Sequence, residues 1–172
     1  MKTHWFKQKK NHESFRLIEI TDKAKGMGYE VLITSCPIDT MVIDCDKIPN
    51  MGSIFKCSKG ECRRSDFILI SSELSVVIVI ELKESNNDKS KEIIQQLKGS
   101  ACFLSYCESI IASFWGEKNV LQGYETFFVV CIPRTIKRSF NKNTIPEKFN
   151  KIFDKIIPFK KLIKNRSKGE LK

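Results

Sequence analysis

Asp66, Glu81 and Lys83 are the residues whose types and spacing could do chemistry together. Asp66 opens the apolar run Asp-Phe-Ile-Leu-Ile, and a second run, Val76-Val77-Ile78-Val79-Ile80, closes on Glu81-Leu82-Lys83. Two carboxylates and an ammonium on neighbouring strands are the parts needed to hold a hard divalent cation and aim a water at a phosphodiester. Glu81 and Lys83 are two apart, so on an extended strand their side chains leave the same face, while Leu82 points to the other and offers its carbonyl as a ligand. A strand that buries both faces rarely carries two charged groups pointing one way unless each has a partner or a task. Carboxylates brought close together repel, and a bound cation such as magnesium relieves that conflict.

The elements that must position these groups follow from the hydrophobic pattern. Residues 66 to 70 and 75 to 82 are rich in Ile, Val, Leu and Phe, and the short, mostly polar Ser71-Ser72-Glu73-Leu74 between them predicts a β-hairpin. The runs are continuous and not alternating, so both faces of the hairpin are covered, as in a layered α/β domain. Ser85-Asn86-Asn87-Asp88 reads as a turn with a helix cap, and Lys89 to Tyr106 carries Ile93, Ile94, Leu97, Ala101 and Leu104 at helical spacing. On that helix Gln96 stands roughly 110° from the centre of the apolar face and Gln95 roughly 150°, so Gln96 is the better placed to reach round to the sheet. A buried strand from Tyr124 to Ile132, with Cys131 as a small core hydrophobe, ends at Pro133.

The flanks are less regular. Asn11 or Ser14 predicts the cap of a short helix through Lys25, broken by Gly26-Met27-Gly28, after a basic arm over residues 1 to 13. Tyr29 to Thr34 and Thr40 to Asp44 look extended. A second helix is expected from about Pro146 to Lys155, followed by Ile157-Pro158-Phe159 as a short edge strand.

Ser65-Asp66-Phe67-Ile68-Leu69-Ile70, Ile80-Glu81-Leu82-Lys83 and the later Gln96-Leu97 resemble the PD-(D/E)xK nuclease superfamily over residues 66 to about 133. The resemblance implies an α/β restriction-endonuclease-like fold, a mixed central sheet flanked by helices, as a single domain over residues 1–172. It implies that Asp66 and Glu81 bind Mg2+ or Mn2+, with the Leu82 carbonyl as a further ligand, that Lys83 positions the attacking water, and that Gln96 assists from the helix. The expected activity is metal-dependent hydrolysis of phosphodiester bonds, with DNA favoured over RNA. Small proteins that resemble this one are often bacterial and linked to defence against phage or mobile DNA; with no room for a separate sequence-reading domain, weak sequence specificity or a partner is expected, either a homodimer or a defence-system partner protein that supplies targeting or restraint. Two departures stand out: Ser65, not proline, precedes Asp66, and the upstream glutamate that many members supply is not settled among Glu13, Glu19 and Glu30, with Glu19 slightly favoured by its place on the expected helix.

Charge and cysteines bound the remaining classes. Residues 134–172 hold 13 Lys and Arg against Glu147, Asp154 and Glu170, which accounts for the whole excess of +10. A basic C-terminal segment suits phosphate-backbone contact, where released counterions supply affinity without sequence preference; a solvated lysine-rich surface is the plainer alternative. The apolar stretches fall short of the ~18 residues of a membrane span, and the first ten residues lack the apolar segment of a secretory signal, so the expected location is cytoplasmic. Seven cysteines, irregularly spaced, suit reduced thiols; Cys57 and Cys62, with Cys36 and Cys45 upstream, are conceivable zinc ligands. Two other functions compete: a non-catalytic nucleic-acid-binding or accessory subunit whose acidic and lysine residues form a structural ion pair, and a nuclease specific for branched structures.

Overall fold

The backbone follows the hydrophobic pattern most closely where the apolar runs are longest. The computed structural model describes residues 6–7, 13–22, 27–49, 52, 54–83, 90–132, 150–152, 156–158 and 162–163. In chain order the elements are β1 (Phe6–Lys7), β2 (Glu13–Asp22), β3 (Met27–Cys36), β4 (Met41–Asp44), a 3-10 turn (Cys45–Lys47), β5 (Phe67–Ser71), β6 (Val76–Leu82), α1 (Ser90–Trp115), β7 (Glu125–Cys131), β8 (Asn150–Ile152) and β9 (Ile156–Pro158). The protein is mixed α/β.

The larger sheet has the order β1-β4-β5-β6-β7-β8. β4, β5 and β6 form an antiparallel meander, and β6, β7 and β8 run parallel, so the sheet is mixed. α1 is the crossover between the parallel strands β6 and β7, the connection such a pair requires. At 26 residues it is about 39 Å long at 1.5 Å per residue. Every residue of β6 is buried, which explains why its sequence shows no polar alternation: water reaches neither face.

The two faces of β6 are covered by different layers. Val77 and Val79, with Ile68 and Val130, pack against Ile93, Leu97 and Leu104 of α1. Ile78, Ile80 and Leu82, with Leu69 and Val129, pack against Leu17, Val31 and Ile33 of a second sheet, ordered β2-β3-β9. Among the described residues, therefore, one face carries a helix and the other a sheet, where helices on both faces were expected.

The hairpin and the strands at 41–44 and 125–131 lie where the pattern puts them, whereas the crossover helix runs on to Trp115, past its expected end at Tyr106, and β3 begins at Met27, inside the expected Gly26-Met27-Gly28 break. The turn between β5 and β6 is clamped by Asp39, whose carboxylate accepts from the Ser71 hydroxyl at 3.0 Å and the Glu73 N–H at 2.7 Å. The expected edge strand at 157–159 appears as β9, parallel to β3.

Two further expectations fail. The short helix through Lys25 is instead β2, an edge strand paired antiparallel with β3 over Glu13 to Asp22. Phe15 and Leu17 turn inward while Arg16 and Ile18 are exposed, which is period two and not 3.6. Where the second helix was expected, residues 150–152 form β8 and extend the sheet beyond β7; the rest of that expected helix lies outside the described residues.

Candidate functional site

Asp66 immediately precedes β5, and Phe67 pairs with Ile80. Continuing that antiparallel register by one residue sets Asp66 opposite Glu81, on the face that α1 covers; side chains so placed leave the sheet on the same side, with Cβ atoms about 5 Å apart. Asp66 is 7% exposed and Glu81 is fully buried. The Asp66 backbone carbonyl accepts the Cys45 N–H at 2.9 Å, and its Oδ2 accepts the Leu82 N–H at 2.5 Å. The carboxylate thus ends the β5–β6 ladder by taking the donor that the next strand residue would have taken. In an extended strand the N–H and C=O of one residue leave the same edge, so the Leu82 carbonyl also heads towards the β5 side.

Lys83 completes the cluster. Its backbone N–H donates to the Cys131 carbonyl of β7 at 2.9 Å, which fixes the end of β6 from the other side. Its ammonium lies 2.5 Å from Glu81 Oε1, with the lysine side chain 25% exposed and the glutamate at 0%. The spacing of two therefore does place both charges on one face. Lys83 bridges from a buried carboxylate to solvent, the position of a group that could meet an incoming substrate.

The support beneath Asp66 comes from α1. Ser100 is fully buried, and its Oγ accepts the Ser65 N–H at 2.8 Å and lies 2.7 Å from the Ser65 Oγ. One residue earlier, a Cβ on Gly99 would stand 1.7 Å from the Arg63 carbonyl oxygen, so only glycine lets the helix approach the chain that leads into Asp66. Gln95 donates its side-chain amide to the Lys59 carbonyl at 2.8 Å, and Arg63 faces Glu92 at 3.8 Å. The helix thereby grips residues 59 to 65 at four successive points. Sequence reasoning passed over Gly99-Ser100; the run of small residues Gly99-Ser100-Ala101-Cys102 was the available signal.

Asp66, Glu81, Leu82 and Lys83 are brought together. Gln96 lies on the same helix stripe as Ser100, one turn nearer the helix start, and is half-buried; no hydrogen bond between described residues joins it to the cluster. Gln95, rejected from the wheel, is the amide with a defined partner. Glu30 is exposed on β3 and faces Arg16 at 3.6 Å, away from the cluster. The side chains of Glu13 and Glu19 lie outside the described residues, and Glu19 sits on a strand, not a helix.

Among the described residues no group of three or more His, Cys, Asp and Glu side chains is arranged to hold a metal. The donors on offer are two carboxylates and a backbone carbonyl, all hard oxygens. That set fits magnesium, which keeps several waters and takes one or two carboxylates together with substrate phosphate oxygens, and does not make a closed protein cage.

The cysteines do other work. Cys57 and Cys62 form a disulfide, in place of the reduced or zinc-bound thiols expected there. Cys36, Cys45 and Cys131 are free and buried. Cys45, close to the site, has its thiol pushed up to about 12, chiefly by burial, with a Ser65 hydrogen bond and the Arg64 charge opposing and Asp66 and Asp44 adding to the rise. Burial thus favours its neutral thiol.

A separate apolar groove of about 590 Å3 lies towards the other end of α1, lined by residues that include Met41, Ile70, Phe103, Leu121 and Tyr124. Its one carboxylate, Glu108, accepts the Leu121 N–H. The groove has no part in the polar cluster.

The basic segment expected to hold nucleic acid lies almost wholly outside the described residues; Lys151 is in β8, and the other lysines and arginines of 134–172 are not among the described residues. Among the described residues no helix is long and apolar enough to cross a membrane. No protein-family model, no curated protein and no solved structure matches the chain.

Proposed function

We propose that the protein is a Mg2+- or Mn2+-dependent nuclease of restriction-endonuclease-like fold that hydrolyses phosphodiester bonds, with DNA taken ahead of RNA as substrate. The observation that carries this reading is the convergence of Asp66, Glu81 and Lys83 at the ends of adjoining strands, with Lys83 the most exposed of the three. Asp66, Glu81 and the Leu82 carbonyl hold the cation. When bound, the metal supplies Lewis-acid chemistry, lowering the pKa of a water and offsetting phosphate charge. Asp66 Oδ2 is fixed by the Leu82 N–H, so the direction of the carboxylate is set before substrate arrives. Lys83 swings from Glu81 to hold the attacking water and to offset charge that develops on the phosphoryl oxygens. Gln96 is the candidate to contact the substrate from α1, and the basic segment 134–172 is the candidate to hold the phosphate backbone. A setting in bacterial defence, with a second copy or a partner protein, rests on the family resemblance alone.

A second reading has its own support. The Glu81–Lys83 contact is a closed ion pair beneath a strand end, which is what a non-catalytic nucleic-acid-binding or accessory subunit of this fold would also contain. One experiment separates the two: wild type and Glu81→Ala incubated with plasmid DNA and with RNA, with and without Mg2+ or Mn2+. Metal-dependent cutting by wild type alone supports the nuclease, whereas nucleic-acid binding without cutting supports the accessory subunit.

A further inference from the structure

Ser65 stands where the resembling family commonly has proline, and its peptide N–H is used. It donates to Ser100 Oγ at 2.8 Å, and the two hydroxyls lie 2.7 Å apart, at a place where Ser65 is 1% exposed and Ser100 fully buried. A proline would have neither donor, and would stiffen the chain only through its ring. Here the stiffness comes from a helix 35 residues further along the chain.

Asp66 is consequently held from three directions. The residue before it is tied to α1 through Ser100, its own carbonyl to Cys45, and its carboxylate to Leu82. Only the first of these ties is made by a side chain that can be changed without touching the sheet. It is also buried, so no solvent molecule stands ready to replace the lost acceptor.

Resting on the metal-site reading above, we propose that Ser100 is a positioning residue for the metal ligand Asp66, acting through Ser65. Its hydroxyl sets where the Asp66 carboxylate sits relative to Glu81, and so sets metal affinity. A purely structural role for Ser100 would lower stability and leave metal affinity alone, because a core contact contributes to folding without choosing the geometry of a ligand.

The test is Mn2+ binding to the full chain by titration calorimetry, with no substrate present. Ser100→Ala raises the Mn2+ dissociation constant about tenfold or more, the usual consequence of removing a group that orients a ligand. Ser100→Cys, close in volume and a weaker acceptor, raises it by less and decides the matter if the alanine variant does not fold. Leu104→Ala, further along the same helix face and 8% exposed, lowers thermal stability without moving the Mn2+ constant. A Ser100 variant within twofold of wild type, or an equal shift in Leu104→Ala, overturns the positioning role while leaving the metal site intact. A wild-type protein that takes up no Mn2+ removes the metal site itself.

Discussion

Gly99 of α1 lies so close to Arg63 that a methyl group on it would sit 1.7 Å from the Arg63 carbonyl oxygen. No rotation relieves such a contact, because the opposing atom is backbone. Helix and loop must separate, and Ser100 is the next residue along. Gly99→Ala is therefore expected to destabilise the fold by about 1–3 kcal/mol, the range for overpacking, against a small gain in helix propensity. For a domain of this size that is a fall in Tm of roughly 3–10 °C by calorimetry; an unchanged Tm would show that the helix and the loop are not in contact.

The Glu81–Lys83 pair predicts a stability pattern distinct from its chemistry. Lys83→Met deprives a fully buried carboxylate of its ammonium, whereas Glu81→Gln with Lys83→Met removes both charges. Breaking one side of a buried pair costs more than removing both. The double variant should unfold at higher denaturant than Lys83→Met alone, with a coupling of about 0.5–3 kcal/mol. Additive effects would place the two groups apart.

Cys36 and Cys45 are both pushed up to about 12 from 9.0, mainly by burial. Their thiols stay neutral in the folded protein up to that value but ionise near 9 once unfolded. The stability they contribute is whole below pH 9 and is lost as pH climbs from 9 towards 12, at no more than about 1.4 kcal/mol per pH unit for each thiol. Urea unfolding at pH 8, 9 and 10 should show this decline, and a double alanine variant should flatten it. A profile equally steep in that variant would assign the decline to other groups.

The Cys57–Cys62 bridge closes a loop of only a few residues, so its loss through paired serine substitutions should cost about 2 kcal/mol, below the cost for long loops. Peptide mapping without reductant should link the two cysteines, and exposed Cys102 should alkylate in the native protein while Cys36, Cys45 and Cys131 do not. Stoichiometric zinc in the purified protein would contradict the bridge.

The core of the fold was legible because its strands bury both faces. Val76 to Ile80 admits no solvent-facing residue, and the charges that close it at Glu81 and Lys83 mark the strand end. β2 was misread because Phe15, Leu17, Ile18 and Ile20 satisfy helical and strand spacing alike; pairing with β3 decides between them. β8 was hidden for a similar reason: Asn150-Lys151-Ile152 has no strand pattern of its own and is set by the free edge of β7. Asp66, Glu81 and Lys83 could be read from spacing along one hairpin, since local geometry alone brings them together. The Ser65–Ser100 contact could not, because it joins residues whose proximity exists only once α1 has docked. Gln95 shows the same limit: its partner, the Lys59 carbonyl, is a backbone atom that no side-chain pattern announces.

The central claim is that Asp66 and Glu81 hold a divalent cation for phosphodiester hydrolysis, and titrating Mg2+ into supercoiled plasmid with wild type and Glu81→Gln tests it most directly. Wild type is expected to nick or linearise the plasmid only above a threshold of metal, chelator to stop the reaction, and Glu81→Gln, folded to a similar Tm, not to cut. Cutting without added metal and in the presence of chelator, or cutting by Glu81→Gln at the wild-type rate, would contradict it.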